Sequence, residues 1–377
     1  MRIETYAGQL KAALKLCEPF VEKRACIPML TMVKFEGGKI VATDLDKQIE
    51  VVLPSVSFKG AGLVVFWPLR RLVAELQDDV VITITRSENA VEVVAETGRY
   101  FLPTADLADF PAIKLPLIRR KLEIDGEKLR AALMFALPAV STDETRYYLN
   151  GVCLSGHDVV ATNGHALAVH YKALDEVVNN AIIPRSLAAV IAKLPPFASV
   201  SLYHHGDPNF PGCIGFDGSG ITITAKLIDG TYPDWRRVVP ADDLIEAHLA
   251  RADMLKLLRR MSVVVGRQSY GLALASDGSK LAVSVRDATA DFAAQDFIPA
   301  DGSEFAAMFN GRYLRDAIAS IGGDAISIFS KGNFHPIILR SDASNDRAFI
   351  VMPMRDVVGE IETSRALLQK LRQDVAA

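Results

Sequence analysis

"DVVATNGHALAVHY", residues 158–171, sets His165 and His170 around a short apolar run just after an Asn-Gly turn. On its own it invites a metal or catalytic reading. Extended to "GHDVVATNGHALAVHYK" (156–172), it matches "GGKIVATDLDKQIEVVL" (37–53), with "VAT" at the same place in both. His165 then falls on Asp46 and Gly164 on Leu45, so the stretch belongs to a repeated scaffold. A strand over 165–170 would also point the two histidines to opposite faces, where they cannot share a metal. No metal or catalytic role is expected for the pair. A third copy, "DGSKLAVSVRDATADFA" (277–293), keeps the strand, turn, strand pattern and loses the letters.

The repeat extends outward in both directions. "QLKAALKL" (9–16) returns as "KLRAALMF" (128–135) and more loosely as "DMLKLLRRM" (253–261), each with helical apolar spacing and basic residues between. A second basic helix follows in each unit: "WPLRRLVAELQ" (67–77), "IPRSLAAVIAKL" (183–194) and "NGRYLRDAIASI" (310–321). Alternating segments come next, "VVITITRSENAVEVVAE", "ITITAKLI" and "AISIFS", with the period of half-buried antiparallel strands. An aromatic-Pro pair closes the first two units, in "TADLADFPAI" (104–113) and "IDGTYPDWR" (228–236). The unit is helix, strands, helix, strands, about 120 residues long, and occurs three times. The expected class is α+β, three repeated domains of antiparallel sheet with two helices each. Expected bounds are 1–119, 120–246 and 247–355, with 356–377 as a C-terminal extension.

Composition agrees with a folded chain and removes several classes. Half of the 377 residues are apolar and under a quarter are charged, enough for substantial cores. No apolar run reaches the roughly 18–20 residues of a membrane span, and "MRIETYAGQLKAALKL" lacks the apolar centre of a signal peptide, so a soluble cytoplasmic chain is expected. Cys17, Cys26, Cys153 and Cys213 are too scattered for a disulfide framework or a structural zinc site and read as buried small residues. A formal charge of −3 does not decide on nucleic acid, since a basic face can coexist with an acidic one. Neither a Walker-type phosphate loop nor "GxSxG" is present, and no cofactor is expected.

Four segments carry a family resemblance: "TRYYLNGV" (145–152), "VVATNGHALAV" (159–169), "AKLIDGTYPDWRRVVP" (225–240) and "FIVMPMR" (349–355). In this order, and together with the triplication, they resemble the bacterial DNA polymerase III beta subunit, the DNA sliding clamp, over residues 1–355. The resemblance implies a non-catalytic processivity factor: a head-to-tail homodimer whose six domains (the DNA clamp fold) close a ring around duplex DNA. The repeats argue the same way, since three similar units with open sheet edges at both ends make half of a closed object. The family seals that edge with apolar residues, and the matching positions are Tyr100 and Leu102 on one side and Val263 and Val264 on the other. As residues, these four also admit a reading as ordinary core.

The basic helices carry Lys11, Lys15, Arg70, Arg71, Lys128, Arg130, Arg185, Lys193, Lys256, Arg259, Arg260, Arg312 and Arg315. Any one of them suits a solvated helix face. Their recurrence in all three units, with the resemblance, implies that they line the hole and meet phosphates without reading bases. Arg24 matches a DNA-facing loop position, whereas Asp143 and Glu144 would oppose DNA. The resemblance also implies an apolar groove for short peptides of the polymerase III core, the clamp loader and repair proteins (repair polymerases, mismatch repair, ligase). Carried over by position, it comprises Leu149, Thr162, Gly164, His165, Leu167, Pro233, Arg237, Val238, Ile350, Met352, Pro353, Met354 and Arg355. Methionine and proline suit adaptable apolar anchoring.

Two departures qualify the transfer. Ala166 stands where the family commonly has arginine. Beyond "MPMR" the chain continues with "DVVGEIETSRALLQKLRQDVAA", where Thr363 or Ser364 could cap a helix with Leu367, Leu368 and Leu371 on one stripe. Such a helix, tethered beside an apolar groove, would compete with partners. The alternative is a diverged clamp-like peptide-binding or competitor protein that does not encircle DNA.

Overall fold

Ala7, Leu10, Ala13, Leu14 and Cys17 fall on one stripe of a helix, and in the structure they are the buried residues of α1 (Ala7–Cys17), with Lys11 and Lys15 outside that stripe. The same logic shapes α2 (Phe66–Ala74), α3 (Gly126–Ala136), α4 (Arg185–Ile191), α5 (Arg251–Val265) and α6 (Gly311–Ile321), two helices in each third of the chain. In α6, Leu314, Ala317, Ile318 and Ile321 are buried, and the Asn310 side chain caps the start by accepting from the N–H groups of Arg312 (3.0 Å) and Tyr313 (3.4 Å). A seventh helix, α7 (Glu360–Ala376), follows the repeats. The computed structural model describes the chain apart from Asn89, Ala112, Glu123, 205–210, 241–244, 266–269, 287–291, 332–333, 357–358 and Ala377, and apart from the side chains of 375–376.

The chain forms two compact units, Met1–Glu127 with Lys193–Leu227, and Lys128–Ala192 with Ile228–Ala377. The second repeat thus contributes to both. All the strand pairings are antiparallel. In the first unit, five strands run in the order Ser57–Lys59, Arg2–Tyr6, Val81–Arg86, Ala90–Ala95, Gly98–Pro103. A second sheet runs Ile118–Leu122, Ser199–His204, Pro211–Gly218, Ile221–Lys226, Lys47–Val52, Lys39–Thr43, Met32–Glu36, Gly62–Val65. Its centre is a seam between strands of different repeats, with Ile223 opposite Ile49.

In the second unit the nine-stranded sheet has a seam of the same kind. The order is Val178–Pro184, Gly151–Gly156, Asp158–Thr162, Ala166–His170, Arg347–Val351, Ile337–Ser341, Ala325–Ser330, Ile245–Ala250, Asp301–Gly302. Ala168 lies opposite Phe349 across that seam. Four further strands run Ala293–Pro299, Lys280–Arg286, Gly271–Asp277, Glu304–Asn310. Residues 287–291 of the third repeat copy lie outside the described residues.

The repeated turn is the same object in its first two copies. Thr43 donates to the Lys47 carbonyl and Thr162 to the Ala166 carbonyl, while Asp44 and Asn163 each accept two backbone N–H groups. Leu45 and Gly164 both take a left-handed backbone, at φ 76° and 87°. Of the cysteines, Cys17, Cys153 and Cys213 are buried as expected, but Cys26 is exposed, because it lies in the loop after α1 rather than on a packed face.

Candidate functional site

Leu167 and Ile350 face one another across the seam of the second unit, and both are fully buried. With Leu149, Val160, Tyr232 and Trp235 they form one apolar cluster. Three of the expected groove residues, Leu149, Leu167 and Ile350, are therefore its floor rather than its lining. The segment 230–238 is pinned onto this floor. Asn180, itself left-handed at φ 48°, donates to the Gly230 carbonyl (2.7 Å) and accepts from the Tyr232 N–H (2.9 Å), and the Tyr232 hydroxyl accepts from the Thr162 N–H (2.8 Å). Burial pushes the Tyr232 phenol well above its ordinary range, so it stays protonated there.

The exposed rim is made of short segments. Gly164 and His165 form the turn, Pro233, Arg237 and Val238 line one side, and Met354 and Arg355 are also exposed. Met352 and Pro353 are half-buried. Met352 donates to the His165 carbonyl (2.9 Å) and Met354 to the Met308 carbonyl (2.7 Å), while Pro353 bridges to Phe309. Arg237 is held by Asp234 at 3.0 Å. His165 stacks on Tyr313 of α6 at 6.1 Å. Behind the turn lies a pocket of about 230 Å³ lined by Arg146, Asn163, His165, Arg185, Arg312 and Tyr313, among others. The arrangement is a shallow apolar strip with cationic and aromatic edges, suited to binding an extended apolar peptide. Ala166 is buried and pairs with Val351; by the alternation of the strand its methyl group points to the same face as His170, away from Leu167, and adds no charge to the strip's edge.

His170 is on the other face, as the alternation requires. It is 2% exposed and lies 3.1 Å from Asp346. Among the described residues no group of three or more His, Cys, Asp or Glu is placed to hold a metal ion, and no helix is long and apolar enough to cross a membrane.

The helix cations divide into two sets. Lys11 pairs with Asp78 (2.8 Å), Arg70 with Glu18 (2.8 Å), Lys128 with Asp175 (3.3 Å), Lys256 with Asp253 (3.7 Å) and Arg260 with Asp296 (2.5 Å). Arg312 and Arg315 share Asp316, and Arg130 donates to the Ala192 carbonyl (3.4 Å). Lys15, Arg24, Arg71, Arg185, Lys193 and Arg259 are exposed. α4 ends at Ile191, which leaves Lys193 in the turn beyond the helix. Asp143 caps the short 3-10 segment after it, accepting from the Thr145 hydroxyl and N–H and from Arg146, and these bonds hold its carboxyl below the usual range. The carboxylate therefore stays ionised, with Arg146 as its local counter-charge.

Two family models match in tandem, "DNA polymerase III beta subunit, central domain" over residues 123–234 and "DNA polymerase III beta subunit, C-terminal domain" over 236–355. The chain belongs to the DNA polymerase III beta subunit family. The beta sliding clamp of Caulobacter vibrioides is 26% identical, covering 94% of this chain and all of that one, and that of Pseudomonas aeruginosa is 27% identical, covering 91% and 96%. A sliding clamp from Bartonella birtlesii, solved bound to griselimycin, superposes with a TM-score of 0.85 at 27% identity over 94% of this chain and 100% of its own. The protein is a DNA sliding clamp with the α+β clamp fold, and the family is non-catalytic.

The remaining expected residues of this clamp lie at two open sheet edges. Tyr100 and Leu102 are on Gly98–Pro103, the last strand of its sheet. Val263, 82% exposed, and Val264 are at the end of α5, which packs on the edge strand Ala293–Pro299. Two further aromatics are exposed at these edges and were not among the expected residues: Phe101, 68% exposed beside Tyr100, and Phe297 on the other edge. An aromatic on an alternating strand looks like core until the strand is known to be last in its sheet. Nor were Tyr313, which stacks on His165, and Met308, whose carbonyl accepts from the Met354 N–H, among the expected residues, since both come from far along the sequence.

Proposed function

We propose that this clamp works as a head-to-tail homodimer that closes around duplex DNA in the cytoplasm. In this reading it has three domains per chain, bounded near 119, 246 and 355, and tethers the polymerase III core, the clamp loader and repair proteins through the strip around Leu167 and Met352. One observation carries the dimer. At the first seam Lys47–Val52 pairs with Ile221–Lys226, and at the second Ala166–His170 pairs with Arg347–Val351. The third repeat's counterpart of the former strands is Ala293–Pro299, and the first repeat's counterpart of the latter is Gly98–Pro103. Both are edges within the chain. A second copy supplies to each the neighbour that the other repeats already have, and two such junctions close the ring.

The exposed cations Lys15, Arg24, Arg71, Arg185, Lys193 and Arg259 supply sequence-independent phosphate contacts, and the paired ones contribute less because an acidic neighbour already holds them. A ring held by such contacts slides, since each register along the duplex has similar energy. The test is retention on DNA. The protein is expected to sediment at twice the chain mass and, once loaded, to stay on closed circular DNA and run off linear DNA. A monomer at all concentrations, or equal loss from both DNA forms, overturns the ring. The groove is tested with griselimycin, which the Bartonella clamp holds: it is expected to bind here, and Met354→Asp, which places a charge on the exposed wall and not in the core, is expected to weaken that binding at least about tenfold.

A further inference from the structure

α7 lies beyond the residues that the family model matches, which end at 355. It does not lie in the groove. It runs across one face of the strands Gly271–Asp277, Lys280–Arg286 and Glu304–Asn310. That face is built from small residues: Ala306, Ala275 and Ala282 stand side by side in register, and Ala273 stands opposite Ser284. Alanine and serine let a helix approach closely, and Leu368, Ile361 and Leu367 pack into the face. Ser284 donates to the Glu360 carbonyl (2.7 Å) and lies 2.7 Å from the buried Ser364 hydroxyl. Glu360, buried, pairs with Arg286 at 2.9 Å. Arg372 reaches Asp277 (2.9 Å) and Glu304 (3.3 Å) at the far end.

These buried polar partners fix one register for the helix, since any other would leave Glu360 and Ser364 desolvated without partners. They also correct two expectations. The helix starts at Glu360, capped by Asp356, which accepts from the N–H groups of Glu360 (3.0 Å) and Ile361 (2.8 Å); Ser364 is spent on the sheet instead of capping. The competitor role has no support either, because the apolar strip around Leu167 offers no buried partner for Glu360.

Asp356 is the residue after the groove wall. Met352 and Met354 are tied by their N–H groups to His165 and Met308, and immediately beyond them Asp356 ties the chain to a docked helix. α7 packs on the strand Glu304–Asn310, the same strand that supplies the Met308 carbonyl and the Phe309 bridge to Pro353. We propose that α7 is a strap: it holds the Met352–Arg355 wall in its binding-ready position, and Asp356, Glu360, Ser364 and Leu368 act as positioning residues for peptide affinity. The proposal rests on reading the strip around Leu167 as a peptide groove. A wall held at both ends loses less freedom when a ligand seats on it, which raises affinity without any new contact.

The test compares the full chain with a chain ending at Arg355 and with Leu368→Asp, which undocks the helix and keeps every residue. Griselimycin affinity is measured by titration, and amide exchange is followed at Met352 and Met354. Both variants are expected to bind roughly three- to tenfold more weakly. Exchange at the two methionine amides is expected to rise about tenfold or more while that of Gly151–Gly156, in the same unit, stays unchanged. Equal affinity with unchanged exchange overturns the strap, and tighter binding by the truncated chain replaces it with a competitor. Faster exchange confined to Met352 and Met354 in a protein that binds no griselimycin at all upholds the strap and overturns the groove reading instead.

Discussion

At the residue scale, the deciding position is the left-handed one in the repeated turn. Gly164 occupies it at φ 87°, where an added Cβ would also meet Arg146 Nη1 at 2.7 Å, whereas Leu45 takes the same conformation at 76°. Left-handed backbone costs a side-chain-bearing residue roughly 1–2 kcal/mol. Gly164→Ala should therefore lower stability by about 1–2 kcal/mol in a urea titration, and Leu45→Gly should raise it by up to about 1 kcal/mol after the flexibility glycine adds to the unfolded chain. His170 supplies a second prediction. Burial, with Arg347 adding to it and Asp346 opposing it, holds the imidazole below its ordinary 6.5. The unfolded chain therefore takes up a proton that the folded chain refuses as pH falls through 6.5 toward the depressed value, and stability falls with it. Melting temperature should drop between pH 8 and 5, and His170→Gln should flatten that slope. The "VAT" match was enough to assign these positions to a scaffold, but not to show that Asp346, 176 residues away, is the partner of His170.

At the element scale, apolar spacing located the six repeat helices and their basic faces, because helical period and burial are local properties of the chain. Which cations remain available is not local: Lys11 is held by Asp78 across the first unit, whereas Lys15, one turn on, is exposed. Lys15→Ala should lower the dependence of log affinity on log salt by about 0.9 for each phosphate it no longer neutralises, and Lys11→Ala by much less, in titrations of duplex DNA at several salt concentrations. Asn310→Ala, which removes the cap of α6, should cost about 1 kcal/mol in a denaturant melt and loosen Tyr313, the ring on which His165 stacks. The helical stripe of the C-terminal extension was legible too. Its docking face was not, since alanines and serines from three strands carry no signal until the sheet is assembled.

At the scale of the whole molecule, two seams within the chain and two open edges are what the proposed ring rests on. Phe101→Asp places a charge on the edge strand without touching a core, so it should leave the far-ultraviolet spectrum unchanged while shifting the sedimenting species to the single-chain mass. The same variant should lose retention on circular DNA and keep griselimycin binding, because the groove lies within one unit.

The triplication, the α+β class, the six repeat helices and the segments that meet around Leu167 were legible in the amino-acid sequence. Each of these is written in short-range periodicity or in a contiguous motif. Only the assembled tertiary structure shows which strands end their sheets, which helix cations have acidic partners, that Leu149, Leu167 and Ile350 are buried, and where α7 docks. The reason is the same in each case. Pairing and burial depend on which distant residue arrives alongside, and a local pattern fixes the face a side chain points to without fixing what it meets there.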